Sequence, residues 1–246
     1  MPPVDFGRYL LKRDDPTLTP DELQEAQALM AALEAGKPLG LLAPPRAEPW
    51  KLLCHLAERG DFLLHGTGDP NIAQFVPRQP TDSNPFGAQN AVYAASDGLW
   101  PMYYAILDRS PPFSLHNACI SLVDDGREGE RYYFFSIQNS ALARRPYRPG
   151  YVYILPKATF SRDPQDELGG VRFVVHHWAS LEPVKPLAIV PVRPEHFPFL
   201  EQMRGHDDEV LEARMKEDPT MFPWVDELYA DRPSKYPRSC PHRASP

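Results

Sequence analysis

Cysteine is scarce in this chain: Cys54, Cys119 and Cys240 are the only three. An odd number without regular spacing supplies neither a disulfide framework nor a zinc knuckle. Long apolar runs are missing too. No stretch approaches the ~18 consecutive apolar residues of a membrane span. Met1 to Pro16 carries Asp5, Asp14 and Asp15 where a secretory leader needs an apolar centre. These absences predict a soluble, cytoplasmic protein. Positive charge is short as well: 26 Lys and Arg against 33 Asp and Glu leave a net charge of −7. That balance argues against a broad nucleic-acid surface, because non-specific affinity for phosphates needs clustered Lys and Arg. The best basic cluster, Arg144-Arg145-Pro146-Tyr147-Arg148, reads first as a solvated loop and second as a local basic patch.

Several catalytic signatures are absent. Gly66-Thr67-Gly68-Asp69 continues with Pro70 and Asn71, where a dinucleotide-binding G-x-G-x-x-G needs a helix start and a third glycine. No Gly-x-Ser-x-Gly elbow occurs. Cys240-Pro241-His242 lacks further ligands, so no metal is expected. His206-Asp207-Asp208 reads as the cap of a helix beginning near Glu209 rather than as a catalytic group. On a strand, His176 and His177 must point to opposite faces, which predicts that one of them faces solvent.

What is abundant is proline, 30 of 246 residues against roughly 5% on average. The apolar and charged fractions, 42% and 24%, are those of a folded domain, so the prolines are read as stiffening its connections. Thr19-Pro20-Asp21-Glu22 has the form of a capping box with proline in the first turn. Leu23, Ala26, Met30 and Leu33 then share one face, and Gly36 is the stop. A second helix starts near Pro49 and stops at Gly60. From Asp61 the pattern becomes short apolar runs: Phe62–His65, Ala91–Ala94, Ala118–Val123, Arg131–Ile137, Tyr151–Leu155, Val171–His176 and Leu187–Val192. Leu99–Leu107 reads as a helix, and the chain turns helical again at Phe199–Met203 and Glu209–Met215. So few helices among so many strands predict an α+β domain on mainly antiparallel strands. We divide the chain into a helical N-terminal region, 1–60, a main domain, 61–230, and a flexible tail, 231–246.

Two of the strand runs carry chemistry-bearing residues. The first ends in His65-Gly66-Thr67, and the second, 28 residues on, places Tyr93 in Ala91-Val92-Tyr93-Ala94; eleven residues later comes Tyr104. This ordered set resembles the nicotinamide-binding signature of ADP-ribosyltransferases of the diphtheria-toxin and poly(ADP-ribose) polymerase group, over roughly residues 62–109. The resemblance implies an ADP-ribosyltransferase-like split antiparallel sheet core with N-terminal and C-terminal helices, with NAD as substrate and no metal. It also implies a role for each residue. Tyr93 and Tyr104 would hold the nicotinamide ring by stacking, an interaction worth about 0.5–1.5 kcal/mol per aromatic pair. Gly66 would offer its backbone to the carboxamide, His65 would bond a ribose hydroxyl, and Thr67 would add a hydroxyl near the same sugar. Tyr103 competes with Tyr104, but helical neighbours point about 100° apart, so only one faces the ligand. The family also places a glutamate at the start of a later strand, where it stabilises the oxocarbenium-like transition state. Glu182 is the candidate by order, although Pro183 and Pro186 follow it; Gln138 is a second polar candidate.

The expected activity is transfer of ADP-ribose from NAD with release of nicotinamide, to an acceptor the sequence does not name. Two alternatives stay open. One is an RNA 2′-phosphotransferase-like enzyme, against which the acidic balance counts. The other is a non-catalytic module binding a nucleotide or a protein in the same cleft.

Overall fold

The computed structural model describes residues 10–59, 61–80, 85–168 and 170–217. The stop expected at Gly60, and the tail with Cys240 and His242, lie outside them. The described residues form five α-helices and thirteen strands. The helices are α1 (Pro20–Glu34), α2 (Pro49–Arg59), α3 (Trp100–Ile106), α4 (Asn139–Leu142) and α5 (Asp208–Glu217). The strands are β1 (Leu11–Lys12), β2 (Gly40–Leu41), β3 (Phe62–Thr67), β4 (Val92–Ala95), β5 (Leu115–Asp124), β6 (Arg127–Gln138) and β7 (Gly150–Pro156). They continue with β8 (Phe160–Arg162), β9 (Asp166–Leu168), β10 (Val171–Val175), β11 (His177–Ser180), β12 (Ala188–Val192) and β13 (Arg204–His206). The class is mixed α+β.

Two sheets make the frame. The larger runs β2-β12-β7-β3-β4-β11-β8, and the smaller runs β1-β6-β5-β10-β9 with β13 alongside β6. All pairings are antiparallel except β2 with β12 and β13 with β6. Residues 10–59, read from sequence as helical, also lend one short strand to each sheet. The main core lies between the sheets: Leu64, Ala95, Val152 and Ile154 from the larger one meet Cys119, Tyr133, Phe135 and Ile137 from the smaller, with α2 and α3 wedged among them. The opposite face of the larger sheet has its own core of Leu63, Phe75, Val92, Ala94, Tyr153 and Leu155.

The capping box at Thr19 forms as expected, with Glu22 Oε2 accepting from the Thr19 N–H at 2.8 Å and Thr19 Oγ1 accepting from the Glu22 N–H at 3.4 Å. Gly36, at φ +70°, ends the helix in the left-handed region that glycine tolerates. Of the predicted apolar face, Ala26 and Leu33 are buried, whereas Leu23 remains 36% exposed. Helix α3 sits unusually close to the larger sheet. A Cβ at Gly66 would collide with the Pro101 carbonyl, and one at Gly150 with that of Ala105. Glycine on two adjacent strands therefore lets the helix backbone rest on the sheet. At the helix start, the buried Asp97 accepts from the N–H groups of Leu99 (2.8 Å) and Trp100 (2.7 Å).

Candidate functional site

His65, Gly66, Thr67, Tyr93 and Tyr104 lie on three adjoining elements, β3, β4 and α3. Side chains alternate along β3, so Leu64 and Gly66 face the main core while Leu63, His65 and Thr67 face the second one. Along β4, Tyr93 leaves on the same side as Ala95, toward α3. His65 and Tyr93 therefore project from opposite faces of one sheet. What joins them is a 2.6 Å hydrogen bond from His65 Nδ1 to the Tyr93 carbonyl.

That bond replaces a sheet bond. Between β3 and β7 six residues are in register, but between β3 and β4 only Leu64 and Ala95 pair. Continuing the register would set Gly66 opposite Tyr93; instead the strands part there, and the imidazole takes the Tyr93 carbonyl. A carbonyl only accepts, so Nδ1 carries the proton and Nε2 keeps its lone pair. Burial lowers the His65 pKa from its ordinary value; the hydrogen bond to Tyr93 opposes the shift and the charge of Arg78 adds to it. The ring is neutral at neutral pH and rests 4.7 Å from the Phe75 ring.

On the α3 side lies an aromatic group. The Tyr93 ring stacks on His177 at 4.8 Å and 26°, and its hydroxyl is shared between the carbonyls of Phe86 (3.0 Å) and Gln89 (2.8 Å). Phe86 and Trp100 each lie 5.5 Å from the His177 ring. Asn117 Oδ1 on β5 accepts from both Trp100 Nε1 (2.5 Å) and the Tyr104 hydroxyl (2.7 Å). Tyr93 and Tyr104 are thus linked through His177, Trp100 and Asn117. Tyr103 is fully buried, its hydroxyl on the Ser136 carbonyl at 2.9 Å and its ring edge-on to Tyr104 at 5.3 Å.

The two adjacent histidines correct the expectation that one faces solvent. The predicted run Val171–His176 ends one residue early as β10, and β11 begins at His177, so His176 sits between strands. It is buried, with Nδ1 3.2 Å from Ser96 Oγ and Nε2 2.9 Å from Ser121 Oγ. His177 starts β11 and lies against Tyr93. His176 is thus buried, while His177 keeps 20% of its side chain exposed.

Thr67 Oγ1 accepts from the Asp69 N–H at 3.2 Å, which leaves its hydroxyl hydrogen at the end of β3. Glu182 is exposed, two residues past β11. Its backbone is tied to Ser180 Oγ through both its N–H (3.2 Å) and its carbonyl (3.0 Å). The carboxylate that does approach the aromatic group is Asp163, whose Oδ2 lies 4.0 Å from His177 Nδ1 and whose side chain is 11% exposed. Gln138 belongs elsewhere, donating to Asp208 Oδ2 at 2.8 Å.

Around Asp208 is a second polar cluster. His116, His206 and Asp208 bring ligand-type atoms within 4.8 Å of one another. Ser114 Oγ donates to Asp208 Oδ1 at 2.5 Å and lies 2.8 Å from His206 Nε2, while Ser136 Oγ lies 2.6 Å from His206 Nδ1. Burial first, then the neighbouring His116, brings the His206 pKa down to about 4. The hydroxyls and Gln138 account for these groups as a node fastening β13 and α5 to the β5–β6 hairpin. Asp207 caps α5 as expected, accepting from the N–H groups of Glu209 (3.0 Å) and Val210 (3.1 Å). A groove of about 750 Å³ lies between α1 and α2, lined by residues such as Thr17, Met30, His55 and Glu58 and by none of the site residues.

His177, Trp100, Asn117 and Asp163 were not legible as site residues. The break at His176, between β10 and β11, has no glycine or proline to mark it. No helix among the described residues is long and apolar enough to cross a membrane. Comparison with protein-family models, curated proteins and solved structures finds no match to this chain.

Proposed function

We propose that the chain binds NAD in an ADP-ribosyltransferase-like cleft between β3, β4 and α3 and transfers ADP-ribose with release of nicotinamide. The observation that carries the reading is the parting of β3 from β4 at Gly66 and Tyr93, held by the His65–Tyr93 bond. A carboxamide needs one acceptor and one donor at the edge of a strand, and Gly66 offers both with no side chain in the way. His65 Nε2, held as an acceptor, suits a ribose hydroxyl. Tyr93 and Tyr104 supply the aromatic surface for the nicotinamide ring.

For the chemistry, cleavage of the nicotinamide–ribose bond develops positive charge on the sugar, and a nearby negative group lowers that barrier. Glu182 stands in solvent. Asp163 is the partly buried carboxylate on the Tyr93 side, and His177 lies between it and the ring. A module that binds NAD without turnover is the second reading, favoured by the exposure of Glu182.

Incubating pure protein with NAD and following free nicotinamide tests the proposal. Release by wild type that falls at least tenfold in His65→Ala supports transfer. Saturable binding without release supports the second reading. Equal background in both proteins, with no NAD binding by either, rules out both.

A further inference from the structure

A chain of net charge −7 sets two arginines beside the strand that carries His65. The first, Arg148, belongs to the basic loop between α4 and β7. That loop is pinned to the end of α3: the Arg148 N–H donates to the Ile106 carbonyl, the Asp108 N–H donates to that of Pro146, both at 2.8 Å, and Leu107 bridges to Tyr147. Because Thr67 pairs with Tyr151, the residues just before β7 fall beside the end of β3. The Arg148 guanidinium consequently lies directly over Gly68, where any Cβ would run into it. The second arginine, Arg78, is tied by paired backbone hydrogen bonds to Ala91 at the entrance of β4 (3.1 and 3.2 Å). Its charge is felt by the His65 imidazole.

Among the described residues, neither guanidinium has a carboxylate within 4.0 Å. Arg145, in the same loop, is different: it pairs with Glu201 at 3.1 Å. Asp69, next to Gly68, has its Oδ1 taken by the Asn71 N–H at 2.8 Å. Two exposed arginines, Arg148 with its guanidinium over Gly68 and Arg78 with its backbone held at the entrance of β4, fit an anion with several oxygens, since the guanidinium fork matches phosphate geometry.

We infer that Arg148 and Arg78 form a phosphate-binding rim to the cleft, taking a phosphate or diphosphate group whose attached ribose reaches His65 and Thr67. This rests on the NAD reading for the ribose and nicotinamide ends, but the rim itself is read from the arginines. The phosphate comes either from the dinucleotide or from a phosphorylated acceptor. Gly68 is then the residue that lets Arg148 lie flat at the strand end.

Equilibrium binding to wild type, Arg148→Gln, Arg78→Gln and Gly68→Ala tests it, with ADP-ribose, nicotinamide riboside, inorganic pyrophosphate and a 5′-phosphorylated oligonucleotide as probes. For a dinucleotide source, ADP-ribose weakens at least tenfold in the arginine variants, while nicotinamide riboside keeps its wild-type affinity. Gly68→Ala, which displaces the guanidinium without removing charge, follows Arg148→Gln. For an acceptor source, the oligonucleotide weakens tenfold and ADP-ribose does not. If wild type holds pyrophosphate in an arginine-dependent way but binds no NAD or nicotinamide riboside, the rim stands and the NAD reading falls. Phosphate-bearing probes that bind all four proteins equally, or bind none, overturn the rim.

Discussion

Among single residues, Asp97 shows how a fully buried charge is used. Asp97 is fully buried, which disfavours its charge. The Arg131 guanidinium at 3.1 Å, the Trp100 N–H and the Tyr133 hydroxyl at 2.8 Å outweigh burial and hold its carboxyl below the usual range. Its contribution is structural: it anchors the start of α3, and hence the placement of Trp100 and Tyr104. Asp97→Asn removes the charge and leaves Arg131, among the described residues, with Glu58 as its acid partner. Breaking a buried pair typically costs about 3–5 kcal/mol, so we expect a loss of that order in urea unfolding at pH 7. A loss within 0.5 kcal/mol would contradict this account of Asp97. For the candidate site, Glu182→Gln is expected to leave NAD binding and nicotinamide release unchanged. His177→Ala removes the ring stacked on Tyr93 and should weaken NAD binding up to about tenfold, the equivalent of one aromatic pair. The reverse pattern in the same assays would return Glu182 to the site.

Helix α3 and the strands beneath it are the elements on which the site depends. Gly66 has a role in the resemblance, exposing its backbone to a ligand, and a second in the packing, admitting the Pro101 carbonyl. The second predicts that Gly66→Ala destabilises the fold by about 3 kcal/mol or more, since overpacking against backbone has no side chain to yield. Gly129→Ala, whose Cβ would make only a 3.4 Å contact on the β5–β6 hairpin, should melt as wild type does. Equal melting temperatures for the two variants would show that α3 has room to shift.

Legibility of these elements follows from how local their causes are. The capping box at Thr19 and the strand ending at His65 are written within a few residues, and each appears in the structure within about two residues of its reading. Strands β8, β9, β11 and β13 are three or four residues long and owe their pairing to distant partners, so no local pattern announces them. The same applies to the site. His65, Tyr93 and Tyr104 stand in a recognisable order, and the structure sets His65 on one face of the larger sheet and the two tyrosines on the other, with His65 bonded to the Tyr93 carbonyl. Asn117 and Asp163 join the site only through folding, from a strand of the other sheet and from the turn after β8.

At the scale of the whole molecule, two buried neutral histidines couple the fold to pH. Burial is the main cause that brings His176 and His206 down to about 4, with the Arg131 charge adding at His176 and His116 adding at His206. Unfolded, each titrates near 6.5. Their folded pKa values lie below the unfolded ones, so the unfolded chain binds more protons between these limits. Stability is therefore complete above about pH 6.5 and declines as the pH falls toward 4, by up to about 3 kcal/mol per histidine. Asp97, depressed below its ordinary value, acts in another window: its contribution is present above about pH 4 and is lost only below it. Urea midpoints measured from pH 7 to 5 should fall steadily; a flat profile over that range would mean that these histidines are charged in the native state.

The claim at the centre of the account is that NAD occupies the gap where β3 leaves β4. Equilibrium dialysis of labelled NAD against wild type and His65→Ala measures this directly. We expect saturable binding of one NAD per chain, weakened about tenfold by loss of the imidazole, about 1.4 kcal/mol. Identical affinity in the two proteins, or no binding to wild type, would contradict it.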